Sequence, residues 1–460
     1  MSVLIQNGEI ITATERYRAD IYCADQTITR IGHDLQVPPD TPVLDARGLW
    51  VLPGFIDPHV HIHLPLLGTC AKDNYETASR AALLGGTTTV IEMICPNKEQ
   101  DLLEQFALWQ AQAAGHSACD YSFHMGVPRF DAHVPGALQA IIAAGIPSLK
   151  VFLAYQGIAN LSDAELFAVL GFAREQGALV TAHCENAELI VALQQQCLAA
   201  GRTGTAWHYH SRPPLVEASG TAHLLTLARL REAAVYVVHL SCQAALQEVL
   251  RARTAGARVW VEAVLPHLVL DRSYAERPDF EGAKYVMSPP LRDAEECEAL
   301  WNGLRQGFIQ TVATDHAPFD FHGQKDRGRA DFTRIPNGIP SLEERVKLLY
   351  TLGVVTGRID LHTWVNCAST QPARIFGLYP RKGVIQAGAD ADLVLFDPMH
   401  RSTISAATHA MNVDYSAYEG WPVAGRAATV LVRGQVVVDG GVYQGQPGFG
   451  RMLKREPQYF

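Results

Sequence analysis

Apolar runs recur along the middle of the chain, and stretches of mixed polarity separate them. Eight of these runs have the length and character of buried strands: 54–61, 87–93, 119–127, 148–154, 178–183, 234–240, 258–264 and 309–315. Stretches with helical periodicity lie between them, among them 162–176, 216–232 and 293–306. Eight strands alternating with helices predict an α/β fold, a (β/α)₈ TIM barrel rather than an open sheet.

The two ends of the chain have a different sequence pattern, in which short β-like runs alternate with turns. These runs are 3–5, 20–22, 27–31, 391–396 and 428–432. Turn signals at Gly434 and Gly440 support a β-rich C-terminal region. We therefore expect one small β-sandwich domain built from both termini. The predicted boundaries are 1–50 for its first part, 51–380 for the barrel and 381–460 for its second part and the C-terminal tail.

Composition and charge narrow the class of protein. The 460 residues are 48% hydrophobic and 18% charged, with a formal net charge of −9, which gives no reason to expect nucleic-acid binding. The N-terminus lacks the pattern of a signal peptide, and no apolar run reaches the ~20 residues of a membrane span. Nine scattered cysteines form no C-x-x-C pair. We expect a cytoplasmic protein with reduced thiols and no membrane partner.

Polar side chains stand where five of the predicted barrel strands end. The residues concerned are His59 and His61 on the first strand, Lys150 on the fourth, His183 on the fifth, His239 on the sixth and Asp315 on the eighth. Singly, each is more simply a structural histidine, a lysine reaching solvent or a helix cap. Together they favour a site, because a barrel carries its chemistry at the carboxyl ends of its strands.

This set of side chains suits a metal centre. Four neutral imidazoles and one carboxylate are ligands that zinc and similar divalent ions prefer. Lys150 cannot join them as an ammonium group, which has no lone pair. If burial lowers its pKa, however, its free amine can react with CO₂ to form a carbamate, an anionic ligand able to bridge two cations. The sequence therefore predicts two divalent metal ions, with zinc expected, bridged by N6-carboxylated Lys150.

A series of motifs along nearly the whole chain resembles the cyclic amidohydrolases, most closely the D-hydantoinase and dihydropyrimidinase group. The motifs are GFIDPHVHIH (54–63), GGTTTVIEM (85–93), CDYSFHMGV (119–127), TAHCENAEL (181–189), SRPP (211–214), YVVHLSC (236–242), YVMSPPLR (285–292), TDHAPF (314–319), IPNGIPSLEERV (335–346), PARIFGLYPRKG (372–383) and GFGRMLKREP (448–457). So many motifs in order make the resemblance specific.

The resemblance implies a division of labour among the predicted ligands. His59, His61 and Asp315 would bind the more buried metal. His183 and His239 would bind the second one, and carboxylated Lys150 would bridge both. The implied reaction is hydrolysis of a cyclic amide by a hydroxide held between the metals, with Asp315 as the proton shuttle. The resemblance also implies a homotetramer.

Other positions match the substrate contacts of that group. The resemblance implies that Tyr155 binds the developing oxyanion and that Ser288 and Asn337 hold the ring amides. Without it, a packing aromatic and two turn residues would be the simpler interpretations. By the same resemblance, the residues expected to line a pocket for the ring substituent are Leu64, Met93, Ile94, Cys95, Phe152 and Leu153.

The residues after His61 bear on the choice of substrate. Dihydroorotase-like relatives carry an arginine there that holds a substrate carboxylate, whereas this chain has His63 followed by the apolar run 64–67. We therefore expect a neutral ring with a hydrophobic substituent.

The resulting functional hypothesis is ring opening of 5-substituted hydantoins, dihydropyrimidines or both to N-carbamoyl amino acids. Allantoinase, or another hydrolase of cyclic ureides, is the alternative enzyme. Metal-free relatives in the superfamily serve as assembly or signalling proteins, but these have lost the ligands. All six ligand residues are present here, which disfavours that class.

Overall fold

The computed structural model describes residues 2–459. The strands within this range, in chain order, are β1 (Ser2–Gln6), β2 (Glu9–Ile11), β3 (Arg16–Arg18), β4 (Asp20–Ala24), β5 (Thr27–Gly32), β6 (Val43–Asp45), β7 (Trp50–Pro53), β8 (Phe55–Val60), β9 (Pro65–Leu66), β10 (Thr69–Cys70), β11 (Thr87–Ile94), β12 (Asp120–Gly126), β13 (Ser148–Phe152), β14 (Leu179–His183), β15 (Val235–Val237), β16 (Val259–Val264), β17 (Thr311–Ala313), β18 (Leu393–Thr403), β19 (Pro422–Val432), β20 (Gln435–Asp439) and β21 (Val442–Tyr443).

The α-helices of the same range are α1 (Tyr75–Leu84), α2 (Leu102–Ala113), α3 (Val134–Ala143), α4 (Asp163–Gln176), α5 (Ala187–Ala199), α6 (Ala206–His210), α7 (Pro214–Arg231), α8 (Gln243–Thr254), α9 (Leu265–Val269), α10 (Ala294–Arg305), α11 (Arg345–Leu349), α12 (Leu361–Val365) and α13 (Gln371–Ile375). Short 3₁₀ segments lie at Arg272–Tyr274, Glu281–Tyr285, Lys325–Gly328 and Phe332–Arg334, and π-helical turns at Tyr350–Val354 and Asn366–Thr370. Among the described residues, none of the helices has the length and apolar character that crossing a bilayer requires.

The central sheet is a parallel barrel in which strands that follow one another in the chain are neighbours. Its order is β8, β11, β12, β13, β14, β15, β16 and β17. Between its first and last strands, the Asp315 amide donates to His59 O at 3.0 Å and the His61 amide to His316 O at 2.8 Å. The predicted (β/α)₈ barrel is therefore confirmed, and each of the eight predicted strands is present.

Helices cover the outside of the barrel, and α4 shows how the sequence forms one. Ser162 and Glu165 make a reciprocal capping box at its N-terminus, which satisfies amide groups that have no partner inside the helix. Gly177 ends the helix with a φ of 64°, a left-handed conformation that glycine adopts without strain. Between these ends, the apolar face of α4 is buried in the main core.

The two ends of the chain form a second, smaller unit of two packed sheets. One sheet has the order β5-β4-β1-β6, and the other has the order β21-β20-β19-β18-β7-β2-β3. Their facing side chains form an apolar cluster of their own, which includes Ile5, Ile21, Leu395 and Leu431. This confirms the expected β-sandwich from both termini. The domain boundaries proposed from the sequence stay a prediction.

The C-terminal tail lies along the barrel and also contacts the sandwich, where Arg451 Nη1 donates to Gln26 Oε1 at 2.9 Å. Gly450 N donates to Ser117 O at 2.8 Å, and Leu453 N to Tyr121 O at 2.7 Å. The Arg455 side chain is buried there and donates to Ser148 Oγ at 2.8 Å. The tail thus covers the amino ends of the barrel strands and leaves their carboxyl ends open.

Candidate active site

A cavity of about 390 Å³ opens at the carboxyl ends of the barrel strands. It brings together the expected metal ligands and twelve site residues in all, which are His59, His61, Leu64, Cys95, Lys150, Phe152, Tyr155, His183, His239, Ser288, Asp315 and Asn337. These residues come from eight separate parts of the chain. The place of the cavity is the one that a TIM barrel provides for chemistry.

His59, His61 and Asp315 form one cluster at the floor of this cavity. Their candidate ligand atoms all lie within 4.8 Å of one another. Asp315 Oδ1 is 3.2 Å from His59 Nε2 and 3.1 Å from His61 Nε2. Burial lowers the pKa of His61, which favours the neutral, ligating form of its ring. Burial alone would raise the pKa of Asp315, but the neighbouring His59 and His61 lower it to about 2, so the group is a carboxylate.

His183, His239 and Lys150 form a second cluster beside the first. The rings of His183 and His239 are 4.6 Å apart between centroids, and the His239 ring is 5.5 Å from that of His59. Burial lowers the pKa of His183 and, more strongly, that of His239. Lys150 is 1% exposed, and its Nζ lies 5.0 Å from the centre of the Phe152 ring. Burial also lowers the pKa of this lysine, which favours a neutral amine.

Glu262 on β16 holds the ring of His59 and the backbone amide of His239. It was not among the site residues expected from the sequence. Its Oε1 is 2.7 Å from His59 Nδ1 and accepts from the His239 amide at 3.0 Å. Its Oε2 accepts from the Tyr236 hydroxyl at 2.8 Å. A fully buried carboxylate inside the apolar strand sequence VWVEAV was the available signal, because such a group needs partners.

Glu185 has the same relation to His183. Its Oε2 is 2.7 Å from His183 Nε2 and accepts from Arg212 Nη1 at 2.6 Å. Burial would raise the pKa of Glu185, but Arg212 and His183 lower it to about 2. The sequence analysis quoted the motifs that contain Glu185 and Arg212 without giving either residue a role.

The clusters fit a divalent metal centre. His59 Nε2 and His239 Nδ1 are buried and have no hydrogen-bond partner among residues 2–459. Unpaired buried nitrogens are costly unless another group occupies them. His59 also has its other nitrogen on a carboxylate, the arrangement that fixes the tautomer of a metal-ligating histidine. The residues present are therefore those that two adjacent cations would need, and Lys150 lines the same cavity as both groups of histidines.

The role of Glu262 can be tested with Glu262→Gln. We expect the neutral amide to weaken metal binding by about 10- to 100-fold. Without the carboxylate, the His59 ring is less basic as a metal ligand and its tautomer is no longer fixed. Competition with a chromogenic chelator measures this change. Glu248→Gln, at the exposed Glu248–Arg251 pair, is the matched control. Equal metal affinity in both variants would contradict the assigned role.

Tyr155, Ser288 and Asn337 face the clusters from the cavity wall. Asn337 Nδ2 donates to Ser288 Oγ at 2.9 Å, so the two residues form a pair. The Tyr155 ring is 5.3 Å from that of His183. Burial raises the pKa of Tyr155 to about 12, so its hydroxyl is a hydrogen-bond donor at neutral pH. Tyr155 also has a φ of 63°, a conformation that non-glycine residues hold only where the surrounding structure imposes it.

The outer wall of the cavity is apolar. It is formed by the β9–β10 hairpin, the loop after β13 and helix α5, which contribute Leu64, Leu66, Leu67, Ile158, Ile190 and Val191. Leu67 and Ile158 are 48% and 57% exposed. Cys95 lies deeper, with Sγ 4.0 Å from His61 Nδ1. Burial raises its pKa to about 12, so it is a neutral thiol that adds to the apolar lining.

Three neighbouring positions differ from the expectation. Met93 and Ile94 belong to β11 and are buried in apolar clusters of the core, and Leu153 is likewise packed against the core. The expectation that all three line the pocket was wrong, because none of them borders the cavity. Met93 and Ile94 point to opposite faces of β11, and apolar side chains cover both faces of a barrel strand. His63 lies toward Tyr75, with ring centroids 6.5 Å apart.

Comparison with known proteins identifies the family. Residues 50–437 match the model of the amidohydrolase family. The chain belongs to this family. Amidohydrolases are metal-dependent, which agrees with the cluster of His59, His61 and Asp315.

Individual relatives of this amidohydrolase match it from end to end. It is 44% identical to a D-hydantoinase of Geobacillus stearothermophilus, over 99% of this chain and 97% of that protein. It is similar to the structure of a D-hydantoinase (dihydropyrimidinase) from Thermus sp., with a TM-score of 0.98, 53% identity and full coverage of both chains. A dihydropyrimidinase structure from Brevibacillus agri has a TM-score of 0.98 and 43% identity, over 100% of this chain and 99% of that one.

Proposed function

We propose that this amidohydrolase opens the ring of 5-substituted hydantoins and dihydropyrimidines and releases N-carbamoyl amino acids. The observation that carries this proposal is the presence of four histidines, Lys150 and Asp315 in one apolar-walled cavity. Relatives named D-hydantoinase and dihydropyrimidinase, similar along their whole length, support the same reaction class.

The site would hold two divalent cations, for which we propose zinc. His59, His61 and Asp315 would bind one, and His183 and His239 the other. Lys150, carboxylated on Nζ, would be shared by both. The neutral amine favoured by burial can add to CO₂, which forms an N–C bond and releases one proton. When bound, the cations supply Lewis acidity toward the ring carbonyl and lower the pKa of the water that acts as nucleophile.

In the proposed reaction, Asp315 moves the proton. Water adds its oxygen to the ring carbonyl carbon, and the bond from that carbon to the ring nitrogen breaks. Asp315 is a buried carboxylate, because His59 and His61 hold its pKa below the usual range, and an oxygen lone pair of the carboxylate can accept the proton of the water. It then delivers this proton to the departing nitrogen, which becomes the terminal amide of the carbamoyl product.

The remaining polar groups would hold the ring. The protonated Tyr155 hydroxyl is suited to donate to the carbonyl oxygen as negative charge develops there. The Ser288–Asn337 pair, with its 2.9 Å hydrogen bond, would bind the amide groups of the ring. Ring amides present both donors and acceptors, and a hydroxyl next to a carboxamide can match either.

The charges around the cavity favour a neutral ring. Among the described residues that line it, the lysine and arginine residues are Lys150 and Arg212. Arg212 is already paired with Glu185 at 2.6 Å, and Lys150 would be carboxylated and bound to the cations. A substrate carboxylate would therefore find no free cation, while an apolar substituent would meet the leucines and isoleucines of the outer wall.

The resemblance to hydantoinases also supports assembly into a homotetramer and a cytoplasmic location, and we propose both.

A panel of cyclic amides tests the proposed function. Turnover of hydantoin, phenylhydantoin, dihydrouracil, allantoin and dihydroorotate should be measured on the metal-loaded protein. We expect kcat/KM for phenylhydantoin or dihydrouracil to exceed that for dihydroorotate by at least about 100-fold. The carboxylate of dihydroorotate would be buried against the apolar wall of the cavity without a cationic partner. Activity confined to allantoin and dihydroorotate would overturn the proposal.

A further inference from the structure

Lys325 is a buried cation candidate that the proposed reaction does not use. It begins the 3₁₀ segment Lys325–Gly328, and its side chain is fully buried. Burial lowers the pKa of its amine to about 7. Among residues 2–459, no carboxylate forms an ion pair with it, unlike Lys382, which pairs with Asp120 and Asp392. A buried amine without an ionic partner is unfavourable unless hydrogen bonds satisfy its N–H groups.

Those hydrogen bonds go to two backbone carbonyls beside the predicted substrate contacts. Lys325 Nζ donates to Val286 O at 3.1 Å and to Pro336 O at 3.0 Å. Val286 precedes Ser288 by two residues, and Pro336 directly precedes Asn337. One amine therefore connects the two segments that present the Ser288–Asn337 pair to the cavity.

The two segments have few other direct links. The Gly338 amide donates to Val286 O at 3.0 Å, and Asn337 Nδ2 donates to Ser288 Oγ at 2.9 Å. The second of these bonds joins the very groups that would have to turn toward a bound ring. Removal of the lysine would leave the Pro336 carbonyl without its donor and let the segments separate.

We propose that Lys325 is a positioning residue for the cyclic amide: it holds segments 286–288 and 336–338 together so that Ser288 and Asn337 bind the ring. This proposal rests on the proposed function, because it assumes that the ring binds between these two residues. Lys325 acts through them, since it does not line the cavity itself.

The variant Lys325→Met tests the proposal, since it keeps an unbranched side chain but removes the donor. On zinc-loaded protein with phenylhydantoin, we expect KM to rise at least about tenfold with a smaller change in kcat, because binding of the ring is lost rather than the chemistry. Metal content should equal that of the wild type. Lys325→Gln, which keeps an N–H donor, should give a KM between those of the wild type and the Met variant.

Lys347→Met is the matched control. Lys347 is also largely buried, but it pairs with Glu344 at 2.7 Å and does not line the cavity. We expect this variant to lower the melting temperature while KM stays within about twofold. If Lys325→Met does not fold, the comparison of Lys325→Gln with this control replaces it.

A double-mutant cycle separates positioning from a general structural role. If Lys325 acts through Asn337, KM of Lys325→Met combined with Asn337→Ala should rise less than the product of the single effects. The positioning role of Lys325 would be overturned by an unchanged KM in an active, metal-loaded Lys325→Met variant. It would also be overturned if the Lys325→Met and Asn337→Ala effects on KM multiplied independently. Either result would leave the proposed function intact. A metal-loaded wild type that opens none of the cyclic amides would instead overturn the proposed function, and the positioning role with it.

Discussion

Lys150→Ala is expected to lose most of the bound metal and nearly all hydantoin turnover. Lys150 is 1% exposed and lines the same cavity as the His59 cluster and the His183–His239 pair. If its carbamate is the ligand that both cations share, alanine leaves each of them one ligand short. Partners that only orient a metal ligand typically contribute about 10- to 100-fold, so loss of a shared ligand should reduce turnover by more than about 100-fold. Metal analysis and phenylhydantoin turnover on the same sample check this.

Chemical rescue makes the Lys150 experiment specific. Added short carboxylic acids can enter the space left by the side chain and supply the missing oxygen ligand, so they should restore part of the activity and the metal. Lys454→Ala, at an exposed position of the C-terminal tail, is the control and should respond to neither treatment. Full activity and metal content of Lys150→Ala without added acid would rule out the carbamate.

Asp315→Asn is expected to reduce kcat by roughly 10²- to 10⁴-fold, the usual contribution of a positioned acid–base group. The amide keeps one oxygen close to His59 and His61, so part of the bound metal should remain. It cannot accept the proton, because its oxygen is far less basic than the carboxylate. Single-turnover rates normalised to bound metal measure this step apart from ligand loss.

The control for the Asp315 experiment is Asp163→Asn. Asp163 lies at the exposed start of α4, pairs with His223 at 2.8 Å and does not line the cavity. This variant should keep wild-type kcat. If Asp315→Asn keeps wild-type kcat per bound metal, the proton is moved by another group.

The fold could be predicted from the sequence because parallel barrel strands are buried on both faces. Every residue of β11 is buried, for example, and such strands read as continuous apolar runs. Strand ends were less predictable. Of the predicted strand 234–240, the part that forms a strand is Val235–Val237, and of 309–315 it is Thr311–Ala313. His239 and Asp315 have φ angles of 37° and 52°, so the backbone leaves the extended conformation at the ligand residues themselves.

The candidate site was partly predictable for a related reason. Ligand-type residues at strand ends are visible in the sequence, since strand order fixes where those ends meet. Their supporting partners are not. Glu262 is 203 positions from His59, and Lys325 reaches its carbonyls from a loop segment whose path no periodicity reveals. Met93 and Ile94 were assigned to the pocket by their place near Cys95, although separate apolar clusters on the two faces of β11 enclose them.

The most direct test of the account measures bound zinc and phenylhydantoin turnover together. The protein should be stripped with a chelator and then reloaded with zinc in steps. We predict that turnover disappears on stripping, rises with bound zinc and levels off at about two ions per chain. Full turnover by protein that retains less than about 0.1 metal ion per chain would contradict a metal-dependent cyclic amide hydrolase at this site.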